Sequence, residues 1–411
     1  MSFRRVDPEL WLGLVFAVLA GIGWWLHSTP FALVGMAGVL VTAVMYVWQR
    51  ECLTGVSYRR TLGHNRALFG EEVSFDIELV NDKLLPLTWL HAEDKFPREL
   101  TLRGGTVLTG RSDLSRLLVH LLPMLPFQRV RRRMTIVCGR RGLHTIGPAE
   151  LHSGDPIGYR QQHQKVHEQL ELLVYPKVYA LDSPPIASRV LLGNERSRAL
   201  LGDPSRVAGV REYRSGDPLR YVDWRATARS TGLLVREFEP TASLRVAVFA
   251  DLRVPQLRGL ALEPPELEFT VAVTATIVSE LAGRDVAVGL FSSASVAGRS
   301  ISHPPSSAPS GLAEMLELLA RASPWGGARF DHVLLSEVPR FLRGTSVVLV
   351  AAHFPEPTLV AIAEIRRRAP VTAIWIETSK GAPPTAGSVD CRLTARYTDD
   401  WQTRTTLELA S

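Results

Sequence analysis

One run of this sequence concentrates side chains that can do chemistry: Arg211, Tyr213, Gly216, Asp217, Arg220, Asp223, Trp224, Thr227, Ala228 and Arg229, then Leu233, Leu234, Val235, Arg236 and Glu237. Asp217 and Asp223 invite a reading as the paired carboxylates of a glycosidase-like site. Arg220, Arg225 and Arg229 argue against it, because neighbouring cations hold a carboxyl ionised and unfit to donate a proton. What remains is recognition: ion pairs that clip the segment onto its own domain, or a surface that docks a partner. Asp217 before Pro218 predicts a helix N-cap and first turn, and Gly232 a stop, so a helix is expected over 218–230. On it Arg220 and Asp223 share a face, as do Arg225 and Arg229, so the Asp can pair with one Arg while Trp224 anchors the packing.

Other chemistry is missing from the sequence. It holds no Walker loop, no His-Glu-x-x-His, no Gly-x-Ser-x-Gly and no dinucleotide fingerprint. Cys52, Cys138 and Cys391 are far apart and in no zinc spacing, so free structural thiols are expected. The net charge of +6 and a basic group at Arg129, Arg131, Arg132, Arg133, Arg140 and Arg141 would suit nucleic acid. They flank strand-like stretches, however, and anionic lipid is the nearer surface for a chain that begins as this one does.

The elements that position the run follow from hydrophobic pattern. A chain of 411 residues has room for two or three domains. A mean hydropathy of +0.06 reflects apolar runs over 10–26 and 31–48, each about long enough to cross a bilayer. Trp11, Trp24, Trp25 and Trp48 mark their ends, and no cleavage site follows, so a transmembrane hairpin is predicted. Arg4 and Arg5 precede it, Arg50, Arg59 and Arg60 follow it, and the loop carries no Lys or Arg, which places the body in the cytoplasm. Period-two alternation through Val73, Phe75, Ile77 and Leu79, and again through Met134, Ile136 and Cys138, predicts a β-sandwich-like domain. A Pro-, Ser- and Gly-rich stretch over 181–206 reads as a linker. Strands expected at 244–250, 286–291, 347–351 and 371–376 alternate with helices at 266–281, 311–321 and 358–368, the mark of a doubly wound, mostly parallel sheet. Surface loops are expected at 302–310 and 381–387.

The run Arg-x-Tyr-x-x-Gly-Asp-x-x-Arg-x-x-Asp-Trp from Arg211, then Ala228-Arg229 and Leu234-Val235-Arg236-Glu237, resembles the signature of the bacterial domain of unknown function 58 family. Arg141-Gly142, Asp155-Pro156 with Gly158, and Tyr175-Pro176 extend the resemblance upstream. It implies a C-terminal domain similar to von Willebrand factor A domains, in which Asp-x-Ser-x-Ser, a Thr and an Asp surround magnesium. Here Asp251 is followed by Arg253 and Pro255, the second loop reads Gly326-Gly327-Ala328, and the third Ala351-Ala352-His353. Neither Arg nor Pro can ligate magnesium, so a degenerate site is expected, with Arg253 replacing the charge of the ion beside Asp251.

The expected organisation is therefore a membrane hairpin over 1–52, a β-sandwich-like domain over 53–178, a linker and signature segment over 179–242, and an α/β domain over 243–411. The leading expectation is a non-enzymatic, membrane-anchored interaction protein with no metal, no cofactor and no nucleic acid, in contact with membrane lipid. The resemblance implies a MoxR-type AAA+ ATPase as partner, in assembly or maturation of envelope or metal-dependent complexes. A second reading is a cell-envelope enzyme or subunit beside transglutaminase-like or peptidoglycan-linked partners. A third is metal-dependent adhesion, which predicts magnesium binding abolished by Asp251→Ala.

Overall fold

The computed structural model describes residues 8–109, 116–156, 161–182, 202–214, 217, 219–230, 232–240, 245–253, 265–284, 286–325, 327–340, 345–378, 381–385 and 387–410. They form two compact units, Met1–Val174 and Tyr175–Ser411.

Two apolar helices open the first unit, α1 (Pro8–Trp25) and α2 (Thr29–Glu51). Thr29–Glu51 is long and apolar enough to cross a membrane, and Trp11–Trp25 is a shorter apolar helix. Their backbones approach so closely that a Cβ on Gly35 would lie 2.4 Å from the Ala20 nitrogen. Trp48 then packs against the core of the β-strands that follow.

Those strands are β1 (Val56–Leu62), β2 (Arg66–Ala67), β3 (Glu72–Asn81), β4 (Leu87–Phe96), β5 (Thr101–Arg103), β6 (Val107–Thr109), β7 (Arg116–Met124), β8 (Arg129–Val137), β9 (Gly142–Ile146), β10 (Ala149–Gly154), β11 (Gln161–Val166) and β12 (Leu170–Val174). They assemble as sheets of order β1-β3-β8-β5, β11-β10-β4-β7-β6 and β2-β12-β9. Inward residues of the first two sheets, among them Val73, Phe75, Ile77, Leu90, Leu118 and Ile136, fill one core. The alternation along β3, with every second side chain buried, is the half-buried pattern of a strand with one face in water.

The second unit continues with β13 (Ala180–Leu181), β14 (Gly202–Glu212), α3 (Trp224–Thr227), β15 (Leu234–Pro240), β16 (Arg245–Ala250), α4 (Pro265–Ala282), β17 (Ala287–Val296), β18 (Arg299–Ser306), α5 (Pro309–Arg321), α6 (Phe330–Glu337), β19 (Thr345–Ala351), α7 (Glu356–Arg366), β20 (Val371–Glu377), β21 (Cys391–Arg396), β22 (Thr406–Leu407) and β23 (Leu409–Ala410). Seven strands make one sheet of order β18-β17-β16-β19-β20-β21-β23, parallel from β17 to β21. Along β16 the side chains alternate between two cores: Val246, Val248 and Ala250 face α4 and α5, whereas Ala247 and Phe249 face α6 and α7. Cover on both faces explains why these strands read as unbroken apolar runs.

Two expectations change. The segment read as a loop over 302–310 supplies most of β18, which pairs antiparallel with β17. Pro304 and Pro305 fit there because β18 is an edge strand, and the register slips beside them between Val288 and Leu290 of the partner strand. Residues 202–206, assigned to the linker, belong to β14, whereas 183–200 lie outside the described residues.

Candidate functional site

The signature segment is built on a two-stranded antiparallel ribbon. β14 and β15 pair through Val210↔Arg236, Arg211↔Val235 and Glu212↔Leu234, and the chain between them folds back on β15. The Tyr213 N–H donates to Leu233 O at 2.9 Å and the Asp223 N–H to Leu234 O at 2.9 Å, while Leu234 N–H donates to Thr227 Oγ1 at 3.0 Å. Val222 and Val235, both buried, form the apolar contact beneath.

Asp217 and Asp223 each have a fixed internal duty. Asp217 receives both guanidinium nitrogens of Arg211, at 2.7 and 2.8 Å, and the Arg214 N–H at 2.8 Å. The Arg211 guanidinium holds its carboxyl at about 2. Asp223 takes the N–H groups of Arg225 and Ala226, both at 3.1 Å, and Arg236 Nε at 3.0 Å. Those bonds, the Ala226 N–H first and Arg236 next, lower its pKa. Both groups are anions that accept three donors each from their own segment and ribbon, an arrangement that positions backbone.

The helix expected over 218–230 is replaced by a 3₁₀ turn at Leu219–Tyr221 and the single turn of α3. Asp223 causes the break: its extended backbone (φ −86°, ψ 92°) cannot continue a helix, and its side chain caps a new one. Asp217 is therefore no N-cap, and Asp223 pairs with Arg236 on β15 instead of an arginine of the expected helix. Arg220 lies over the Tyr221 ring, 4.8 Å from its centroid. Trp224 anchors nothing: it is 66% exposed, and Leu219 is 64% exposed. Arg220, Arg225, Ala228 and Arg229 are exposed as well, and the three arginines make no ion pair among the described residues. Gly216 and Pro218 lie outside the described residues.

The second candidate lies at the carboxyl edge of the seven-stranded sheet. The chain leaves β16 toward β17 on one side and later leaves β19 toward β20 on the other, so the crevice of this fold opens between β16 and β19. Asp251 follows β16 there, its N–H bonded to Val350 O at 2.9 Å. Its Oδ1 accepts the Ser293 hydroxyl at 2.7 Å, with Arg253 N and Nε at 3.4 and 3.5 Å. The same Ser293 hydroxyl accepts the Leu252 N–H at 2.9 Å. Gly327 is pressed against this point, since a Cβ there would lie 1.7 Å from the Ser293 carbonyl. The described residues gather at Asp251 one carboxylate, one hydroxyl already engaged and a guanidinium, which do not suit magnesium, since it needs several hard oxygens. Among the described residues no group of three or more His, Cys, Asp or Glu side chains converges to hold a metal. His353 is exposed; Pro255 and Gly326 lie outside the described residues.

Ser293 escaped the sequence reading because only register brings it to Asp251, through the Ala250↔Ser292 pairing of β16 and β17. The available signal was a pair of hydroxyls, Ser292 and Ser293, directly after the apolar run over 286–291. Of the arginines on β8, Arg131 pairs with Asp76 at 2.5 Å, Arg129 with Glu78 at 3.6 Å, and Arg132 reaches His120 Nδ1 at 3.0 Å. The three cysteines are free, and burial pushes the Cys138 thiol up to about 11.

Residues 209–398 match the model of a family described as protein of unknown function DUF58. The uncharacterized protein YeaD of Bacillus subtilis (strain 168) is 26% identical over 153 residues, 37% of this chain and 36% of that protein, so the chain spans about a third of its relative. Among solved structures, the full-length major pilin SpaD from Corynebacterium diphtheriae is 12% identical, with 30% of this chain and 37% of that one covered at a TM-score of 0.23. A β-glucosidase from Listeria innocua in complex with isofagomine is 10% identical, covering 29% and 16% at 0.19. Likenesses at such scores carry nothing about fold or function.

Proposed function

We propose, from the DUF58 match over the signature segment and the sheet that follows, that this chain is a membrane-anchored interaction protein whose signature segment docks a protein partner. The observation that carries the reading is the outward set of Leu219, Arg220, Trp224, Arg225 and Arg229, beside two aspartates, Asp217 and Asp223, that are engaged within the segment itself. Tryptophan and arginine are among the residues that most often dominate the energy of a protein interface, and a fold gains nothing by exposing them together on one short segment. The family resemblance supplies the partner class, a MoxR-type AAA+ ATPase. In this reading α1 and α2 cross the membrane as a hairpin, with the body on the cytoplasmic side. Residues 243–411 make a von Willebrand factor A-like domain in which Arg253 takes the place of the metal's charge at Asp251.

Affinity capture of the full-length protein from native membranes in mild detergent tests it. Trp224→Ala is expected to change unfolding stability by less than about 0.5 kcal/mol, as for an exposed side chain, and to lower recovery of the ATPase at least about tenfold. Equal recovery with both proteins would remove the docking role.

A further inference from the structure

The first unit has a second surface that neither the signature segment nor the sheet explains. Two turns meet at the carboxyl end of α2: one joins β3 to β4 (residues 82–86), the other joins β7 to β8 (residues 125–128). The Lys83 ammonium donates to the Glu51 and Thr54 carbonyls at 2.6 and 2.7 Å, and to the Cys52 carbonyl, closing the end of the helix. Asn81 Nδ2 donates to Leu85 O at 3.1 Å and Leu125 O at 3.0 Å, and the Phe127 N–H to Lys83 O at 3.2 Å, so the two turns form one body.

Turn tips are normally Gly, Asn, Asp or Ser. These carry Leu84, Leu125 and Phe127, which are 78%, 66% and 65% exposed. Phe127 also holds φ +54°, a region that bulky residues rarely enter. Exposed Arg50 stands in the last turn of α2, and exposed Arg129 follows Phe127 by two residues. A soluble surface has no use for such apolar tips, whereas the boundary between headgroups and acyl chains suits them, with cations close by in the chain.

We propose that Leu84, Leu125 and Phe127 form a foot that inserts into the lipid interface of the leaflet from which α2 emerges, fixing the β-domain on the membrane surface. The proposal rests on the reading of α2 as a membrane span. Chain continuity identifies the occupant, because Lys83 ties the turns to the last residues of that helix.

The test uses the full-length protein, with Cys391→Ser, in nanodiscs of phosphatidylethanolamine and phosphatidylglycerol. Spin labels are placed singly at Leu84→Cys, Phe127→Cys, Val41→Cys in the middle of α2, and Leu68→Cys. Leu68 is 63% exposed and precedes the far end of β3, about 30 Å from Asn81 at ordinary strand rise. Collisional access to oxygen and to a water-soluble nickel chelate is then compared. The foot predicts high oxygen and low nickel access at 84 and 127, as at 41, and free nickel access at 68. Nickel access at 84 and 127 equal to that at 68, with 41 still shielded, overturns the foot and leaves the anchor standing. Nickel access at 41 as well removes the anchor, and the foot with it.

Discussion

Asp94→Ala is expected to destabilise the first unit by about 3–5 kcal/mol, the cost of leaving a buried cation without its partner. Arg60 and Asp94 face each other at 2.8 Å with side chains 0% and 1% exposed. The Tyr58 hydroxyl donates to the same carboxylate at 3.0 Å, and Arg60 also donates to the Glu168 carbonyl. Arg60→Met should cost less, because the two residues fail differently. Burial already pushes the Asp94 carboxyl up against the opposing pull of Arg60 and Tyr58, so without Arg60 it can take a proton and become neutral. A guanidinium has no such escape. The double variant Arg60→Met, Asp94→Leu should recover most of the loss. Hydrogen exchange of β1 and β4 reads all three variants; equal protection in Asp94→Ala and the unchanged protein would show that the pair does not hold the sheets together.

The second large effect is a dependence on pH. His120 is buried beside Arg132, and burial with that cation lowers its pKa to about 4. In the unfolded chain an imidazole titrates near 6.5. Between those values the unfolded state binds the proton and the folded state does not, so stability is full above pH 6.5 and falls as pH drops toward 4. A shift of that size corresponds to about 3 kcal/mol. The midpoint of denaturant unfolding for the first unit should therefore fall between pH 7 and pH 4.5, and His120→Gln should flatten the slope. An unchanged slope in that variant would assign the effect to other groups.

Pattern made the α/β order legible, because strands covered on both faces must be continuously apolar and helices between them must present a stripe. Several of its failures share one cause, which is that the deciding contact is distant in sequence. Arg60 stands at a position whose parity along β1 faces inward, a visible signal, but Asp94 is needed to make sense of it. Ser293 acquires meaning only from the register of β17 on β16. Pro304 and Pro305 read as a loop until the strand carrying them proves to be an edge. In the signature segment the residue types pointed to ion pairs, and ion pairs are present. Their partners, Arg211 for Asp217 and Arg236 for Asp223, come from the flanking strands because Asp223 divides the expected helix. Trp224, expected inside, is outside for the same reason.

The central claim is that the turn carrying Trp224 meets a protein. A photo-crosslinking amino acid placed at position 224 of the full-length chain in intact membranes tests it most directly, with position 360 as control. Val360 belongs to α7 of the same unit and is 66% exposed, the same value as Trp224. A discrete adduct from 224, containing an AAA+ ATPase and absent from 360, is the predicted result. No adduct at 224, or the same adducts from both positions, would contradict the account.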